Sequence, residues 1–243
     1  MTGFGEQKGG KGIKGECNKQ RIGEVLYRSG TNHYIEGDLK HAEEDYRRAI
    51  IIGYTNHATY SNLGAICQGS GRTEEAISLF KKAIDINPDY PVAHINLGSI
   101  YQSLGKHEQA LSSTLKSLEL KPKESKAWYS LGNIKMAQGK FDKARNNLIK
   151  SITINSKEYG AYFELSTMLK TAEEAEELVK SINSAMIAEI TPKNRSLIEF
   201  ALSNCFHKAE NHDEASKHIQ LANKNKLIVC PSNGKQLRQA ITN

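Results

Sequence analysis

The chain has 243 residues, of which 38% are hydrophobic and 25% charged, and its formal net charge is +6. Five prolines and few aromatics do not fit a β-sandwich or a collagen-like chain, and no apolar run approaches the roughly 18 residues of a membrane span. Lys and Arg are interleaved with Glu and Asp along most of the sequence, so the positive excess reads as a solvated mixed surface rather than a nucleic-acid footprint. The four cysteines, Cys17, Cys67, Cys205 and Cys230, form no C-x-x-C pair and no zinc-like spacing with histidine, which suits a reduced, cytoplasmic setting.

The first stretch, Met1 to Gln20, holds six glycines and four lysines but no apolar block, so it is neither a secretory signal nor an amphipathic transit peptide. Such a composition buries too little apolar surface to offset the entropy of ordering, and residues 1–20 are expected to be a disordered tail.

From Arg21 onward the sequence repeats itself. Aligning the equal segments 57–90, 91–124 and 125–158 superposes Leu63, Leu97 and Leu131, then Gly64, Gly98 and Gly132. Gly71, Gly105 and Gly139 coincide next, followed by Ala76, Ala110 and Ala144. The preceding segment, 23–56, places Ser29, Gly30, Gly37 and Ala42 in the same four registers, so 21–158 holds four regular repeats. A fixed period of this kind predicts an all-α solenoid of stacked antiparallel helix pairs.

Each register has a physical cause. Glycine in the first helix and alanine in the second let two helices approach closely. The later glycine follows the first helix and takes the left-handed conformation that ends it. Pro88 and Pro122 cannot continue a second helix and so separate one pair from the next. Tyr46, Tyr60, Phe80, Tyr101, Trp128 and Leu148 are expected to fill the core.

The pattern resembles the tetratricopeptide repeat, whose signature has Trp, Leu-Gly, Tyr, Ala, Phe, Ala and Pro at set places. Trp128, Leu131-Gly132 and Ala144 match it, as do Leu97-Gly98, Tyr101, Ala110 and Pro122, and Leu63-Gly64, Ala76, Phe80, Ala83 and Pro88. Cys67 and Lys135 depart at the tyrosine and Thr114 at the phenylalanine. The resemblance implies a right-handed superhelix whose first helices line a concave groove for an extended peptide or partner segment.

Beyond residue 158 the pattern weakens. Tyr162, Leu165, Ser166 and Leu169 continue a first helix, the glycine turn is missing, and Ala175 enters the alanine register only after a short deletion, about three positions long. An insertion of about six around Thr191 to Arg195 then recovers Leu202, Ser203, Phe206, Ala215, Ile219 and Ala222. The expectation is an irregular fifth repeat over 159–195, a sixth over 196–229 and a linker or cap over 230–243, about six pairs in all.

On the groove that the resemblance implies, Arg28, Asn62, Asn96 and Ser130 share one place, with Gln68, Gln102 and Met136 nearly two turns further on. An asparagine amide pairs with peptide groups whatever their side chains, so Asn62 and Asn96 suggest a short binding ladder, although polar residues on a wet surface have the same pattern. Some family members grip a carboxylate with paired Lys and Asn, but those places hold Tyr27 and Thr31. Arg28, Lys126, Tyr129 and Asn133 would favour an acidic or aromatic-bearing segment.

Nothing in the sequence assembles a catalytic group, and the expectation is a non-enzymatic protein without cofactor or metal. His212 and His218 sit six apart and point to different helix faces, and Glu173 to Glu177 reads as a solvated helix start. Leu227 to Lys235 imitates a phosphate loop but lacks its first glycine and its hydroxyl residue. Gly3-Phe4-Gly5-Glu6 and the stretch Phe200 to Leu227 resemble the repeat region that precedes a sulfotransferase domain in certain bacterial proteins. That resemblance implies at most a substrate-docking arm without the catalytic domain. An RNA-binding helical repeat is the remaining alternative, disfavoured by the Leu-Gly and Ala registers.

Overall fold

The computed structural model describes residues 10–186 and 190–229. Over these residues the chain forms twelve helices and no strand. The helices are α1 (Gly10–Glu36), α2 (Leu39–Ile51), α3 (His57–Gly69), α4 (Thr73–Ile86), α5 (Pro91–Ser103), α6 (His107–Leu120), α7 (Ser125–Ala137), α8 (Phe141–Ile154), α9 (Tyr159–Thr167), α10 (Ala172–Ala185), α11 (Pro192–Lys208) and α12 (His212–Val229). The chain divides between Leu120 and Lys121 into two compact units. Residues 1–9 of the expected tail, and the expected linker or cap at 230–243 with Lys235, lie outside the described residues.

The repeat is visible in the helix starts. Second helices begin at Leu39, Thr73, His107 and Phe141, evenly spaced, and first helices at His57, Pro91, Ser125 and Tyr159 keep the same interval. At the close of each regular first helix the turn glycine is left-handed, with φ of 83° at Gly37, 77° at Gly71 and 69° at both Gly105 and Gly139. Behind the turn, the amide of Lys140 donates to the Lys135 carbonyl at 2.9 Å and that of Gly139 to Met136 at 2.8 Å, tying up carbonyls the helix leaves free. The sixth repeat makes the same pair of bonds through Asn211 and Glu210, so Glu210 occupies the left-handed place, at φ 58°.

Close approach within a pair is set by the first glycine. A Cβ on Gly64 would lie 3.0 Å from the Phe80 ring, on Gly98 2.8 Å from Thr114 Oγ1, and on Gly132 2.8 Å from Leu148. The glycine thus packs chiefly on the residue four beyond the register alanine, a partner the spacing alone did not identify. Tyr46, Phe80 and Leu148 are fully buried and Tyr101 nearly so, as expected of core residues, whereas Tyr60 and Trp128 are only half-buried. Trp128 Nε1 donates to the Pro122 carbonyl at 2.8 Å, and His94 Nε2, in the same register, donates to that of Pro88 at 2.8 Å. Each proline carbonyl therefore anchors the first helix that follows it.

Three departures from the regular repeat follow from chain length. In the regular second repeat α3 starts at 57 and α4 at 73, whereas α9 starts at 159 and α10 at 172, an interval shorter by the expected deletion of three. The shortened hairpin has no room for a final helical turn, so α9 stops at Thr167 and Leu169, expected within the helix, follows it. The insertion of six is shared: α10 and α11 are joined through 186–191, a longer connection than 155–158 between α8 and α9, and α11 has 17 residues against 13 in α7. Finally, α1 begins at Gly10, inside the stretch 1–20 expected to be disordered, because lengthening a helix anchored on α2 forms one hydrogen bond per residue fixed.

Candidate functional site

In the N-terminal unit the first helices α1, α3 and α5 carry Arg28, Asn62, Gln68, Asn96 and Gln102. Arg28 is exposed and its guanidinium meets Glu24 one turn earlier at 2.6 Å, so its charge is already answered. Asn62 is half-buried and donates to the Tyr46 hydroxyl at 3.1 Å; that hydroxyl donates to Thr31 Oγ1 at 3.2 Å, which in turn donates to the Tyr27 carbonyl at 2.8 Å. This chain ties α3 through α2 to α1. Tyr27 and Thr31, at the places of the carboxylate clamp, are both absorbed in it, and the Tyr27 ring lies 6.2 Å from Tyr46 and 6.3 Å from Tyr54. Asn96, Gln68 and Gln102 are half-buried, and within the described residues their side chains are not engaged.

In the C-terminal unit the expected residues stand on α7. Lys126 is exposed, Ser130 is 7% exposed, and Tyr129 and Asn133 are half-buried. Met136 packs with Tyr129 against the core formed by Tyr162, Leu165, Leu178, Ile182, Ile198 and Leu202. The Tyr129 hydroxyl closes over Gly160 of α9, where a Cβ would come within 2.8 Å of it. Burial pushes the Tyr129 phenol above its ordinary range, against the Asn133 amide beside it. Asn133 Oδ1 is buried and accepts no hydrogen bond. The nine expected residues thus fall five in one unit and four in the other.

Phe163, Glu164, Phe200 and Asn204 extend this surface across α9 and α11, and none of them was among the residues expected from sequence. The Phe163 and Phe200 rings meet edge to face with centroids 6.4 Å apart, and Asn204 Nδ2 donates to Ser166 Oγ at 2.9 Å. The missed signal was register. Phe163 stands one regular period after Tyr129, and Phe200 takes the same place in α11 once the deletion of three and insertion of six are applied.

Family models identify three of the helix pairs, α3–α4, α5–α6 and α7–α8. Residues 55–123 and, separately, 125–158 match models of the tetratricopeptide repeat. The chain carries tetratricopeptide repeats. Neither match reaches 10–54 or 159–229, and in the latter stretch the deletion and insertion break the period.

Solved structures share the fold of this chain. Pseudomonas aeruginosa PilF is 18% identical over 92% of this chain and 99% of its own, with a TM-score of 0.66. Cut9, in the APC/C hetero-tetramer Cut9–Hcn1, is 13% identical over 91% of this chain and 44% of its own, with a TM-score of 0.71. MamA is 18% identical over 88% of this chain and 94% of its own, with a TM-score of 0.50. A search of curated proteins finds no match. None of these comparisons shows a likeness of Phe200 to Leu227 to the region before a sulfotransferase domain.

Several of the histidines and carboxylates singled out in the sequence have structural neighbours. His212 lies near His207, with ring centroids 5.3 Å apart, whereas His218 Nδ1 meets buried Glu199 at 2.7 Å and its ring lies flat on Phe206. Glu173 and Glu174 open α10 behind Thr171, whose hydroxyl accepts from the Glu174 amide at 3.2 Å. Burial pushes the Cys67 thiol up to about 11 and that of Cys205 up to about 12, so both stay protonated and unreactive at neutral pH. Among the described residues no helix is long and apolar enough to cross a membrane.

Proposed function

We propose that this chain is a non-catalytic protein-interaction module that holds an extended peptide or partner segment against the exposed faces of its first helices. Tetratricopeptide repeats generally mediate contacts between proteins, and one observation carries the reading to these faces. Asn96, Gln68 and Gln102 recur on α3 and α5 as half-buried amides that the fold itself does not use. Amides in that state present donors and acceptors to a peptide backbone, each bond adding about 0.5–1.5 kcal/mol net, so several weak contacts sum to moderate affinity. Asn62 contributes its second amide proton and its carbonyl, the first proton being given to Tyr46.

The test is capture of partners from the native cell with the full chain and with an Asn96→Ala, Gln102→Ala double variant. Circular dichroism should be identical for the two, and recovery of the specific partner should fall about ten-fold, as expected for the loss of roughly 1.4 kcal/mol. Undiminished recovery would sink the assignment of these amides to the binding face. A salt-dependent shift of labelled RNA in a gel would instead favour the nucleic-acid reading.

A further inference from the structure

The fifth register of the first helices holds Tyr27, Ser61 and Ile95 in the N-terminal unit but Tyr129, Phe163 and Phe200 in the C-terminal unit. On α9 the residues Gly160, Phe163, Glu164 and Thr167 follow the i, i+3, i+4, i+7 spacing of one helix face, while Ala161, Tyr162 and Leu165 on the other side enter the core. Tyr129 reaches Gly160 from α7, and Phe200 reaches Phe163 from α11. The three aromatic rings and Glu164 therefore belong to one surface. One turn beyond the phenylalanines it sinks into a hollow of about 310 Å³ lined by Ser166, Thr167, Leu169, Asn204, His207 and Lys208.

At the rings this surface carries the Glu164 carboxylate, while Lys208 and His207 line the hollow beyond them. Glu164 is half-buried, and burial pushes its carboxyl above the usual carboxylate range. No described cation lies within ion-pair distance of it, and its charge is felt by the Tyr129 phenol. Lys126 acts instead on Glu158, at the start of α9. A carboxylate beside aromatic rings attracts a cation twice, through its charge and through the negative ring faces, and a guanidinium also stacks on such rings. An acidic ligand would meet the same carboxylate as a like charge.

We propose that the surface formed by Tyr129, Phe163, Glu164 and Phe200 takes an arginine or lysine side chain of an extended partner segment, the cation lying against the two phenylalanines and paired with the Glu164 carboxylate. This rests on the reading of the first helices as the peptide-binding face and adds the chemistry of the occupant. The neighbouring residue of the ligand lies over the hollow by Asn204.

Three fluorescein-labelled, end-blocked nonapeptides test it, identical in their alanine and leucine flanks and differing only in a central arginine, citrulline or glutamate. Fluorescence anisotropy with the full chain should show the arginine peptide binding about ten-fold tighter than the citrulline peptide and tighter still than the glutamate one. Glu164→Gln should erase the preference for arginine over citrulline, and Phe200→Leu should weaken the arginine peptide several-fold. Both variants should keep the circular dichroism of the parent. Absence of arginine-peptide binding, or affinity unchanged by Glu164→Gln, overturns the inference. If all three peptides bind alike and shift the Phe163 and Phe200 ring signals in NMR spectra, the peptide-binding reading stands and only the cation site falls. The converse failure is read separately, from the capture experiment on Asn96 and Gln102.

Discussion

Arg72 grips Glu43 with both terminal nitrogens, Nη1 on Oε1 and Nη2 on Oε2, each at 2.6 Å. The pair joins α2 to the turn before α4, and Arg47 links the same Glu43 to Glu75 at 2.6 Å. The first two repeats are therefore cross-braced by four alternating charges.

Acid should loosen this brace. The Arg72 hydrogen bonds, opposed by burial and aided by Arg47, hold the Glu43 carboxyl at about 2, against an ordinary value of 4.5. A carboxylate lowered by folding stabilises fully above its unfolded value, so the contribution is expected to fade as pH falls from about 4.5 towards 2. Arg72 is 37% exposed, so solvent screening limits the pair, and Glu43→Gln is expected to cost about 1–2 kcal/mol at pH 7. Hydrogen exchange of α2 to α4 amides, followed across that pH window and with added salt, checks both the direction and the screening.

Thr114 sits where Phe80 and Leu148 sit in the adjacent repeats, fully buried against Gly98, and its hydroxyl finds no partner. Replacing an unpaired buried hydroxyl by a methyl of the same shape removes a desolvation cost, so Thr114→Val should stabilise the N-terminal unit by about 1 kcal/mol. A urea denaturation midpoint lower than that of the parent protein would show that the hydroxyl is paired after all.

The regular hairpins were legible because their glycine, alanine and proline registers each answer a steric demand that recurs once per hairpin, and the helix starts obey it. Even the three-residue deletion and six-residue insertion were readable, since Ala175 and Ala222 must return to buried positions. What spacing did not disclose was which polar groups the fold consumes. Asn62 and Asn96 are identical in sequence register, yet Asn62 is bound to Tyr46 and Asn96 is not, because the place four beyond the register alanine holds a tyrosine in one repeat and Phe80 in the next. Phe163 stands one regular period after Tyr129 and was readable from that spacing, whereas Phe200 aligns with the two only after two changes of period.

At Glu210 the sixth repeat sets a side chain in the left-handed place that glycine fills in Gly37, Gly71, Gly105 and Gly139. A Cβ there costs about 1–2 kcal/mol, whereas glycine loses about 0.5–1 kcal/mol more backbone entropy on folding. Glu210→Gly should therefore stabilise the α11–α12 hairpin by about 0.5–1 kcal/mol net, seen as a raised denaturation midpoint and slower amide exchange in α12. Glu210→Ala serves as the control, since it removes the carboxylate and keeps the strained Cβ, and should gain little.

Glu164 presents the opposite case from Glu43. Its carboxyl is raised by burial, so the charged form costs stability above the folded value, and that cost disappears as pH falls below the unfolded one. Glu164→Gln should accordingly stabilise the free protein at pH 7 by a few tenths to about 1 kcal/mol, and the gain should vanish when denaturation is repeated near pH 3.5. The same substitution is expected to weaken an arginine-bearing ligand. A residue whose removal strengthens the fold and damages binding is one retained for its partner, and only the two measurements together separate that role from a merely tolerated surface charge. If Glu164→Gln leaves stability unchanged at both pH values while binding falls, the carboxylate is better solvated than its burial implies, and the ligand gains less from dry contact with Phe163 and Phe200 than from simple charge pairing.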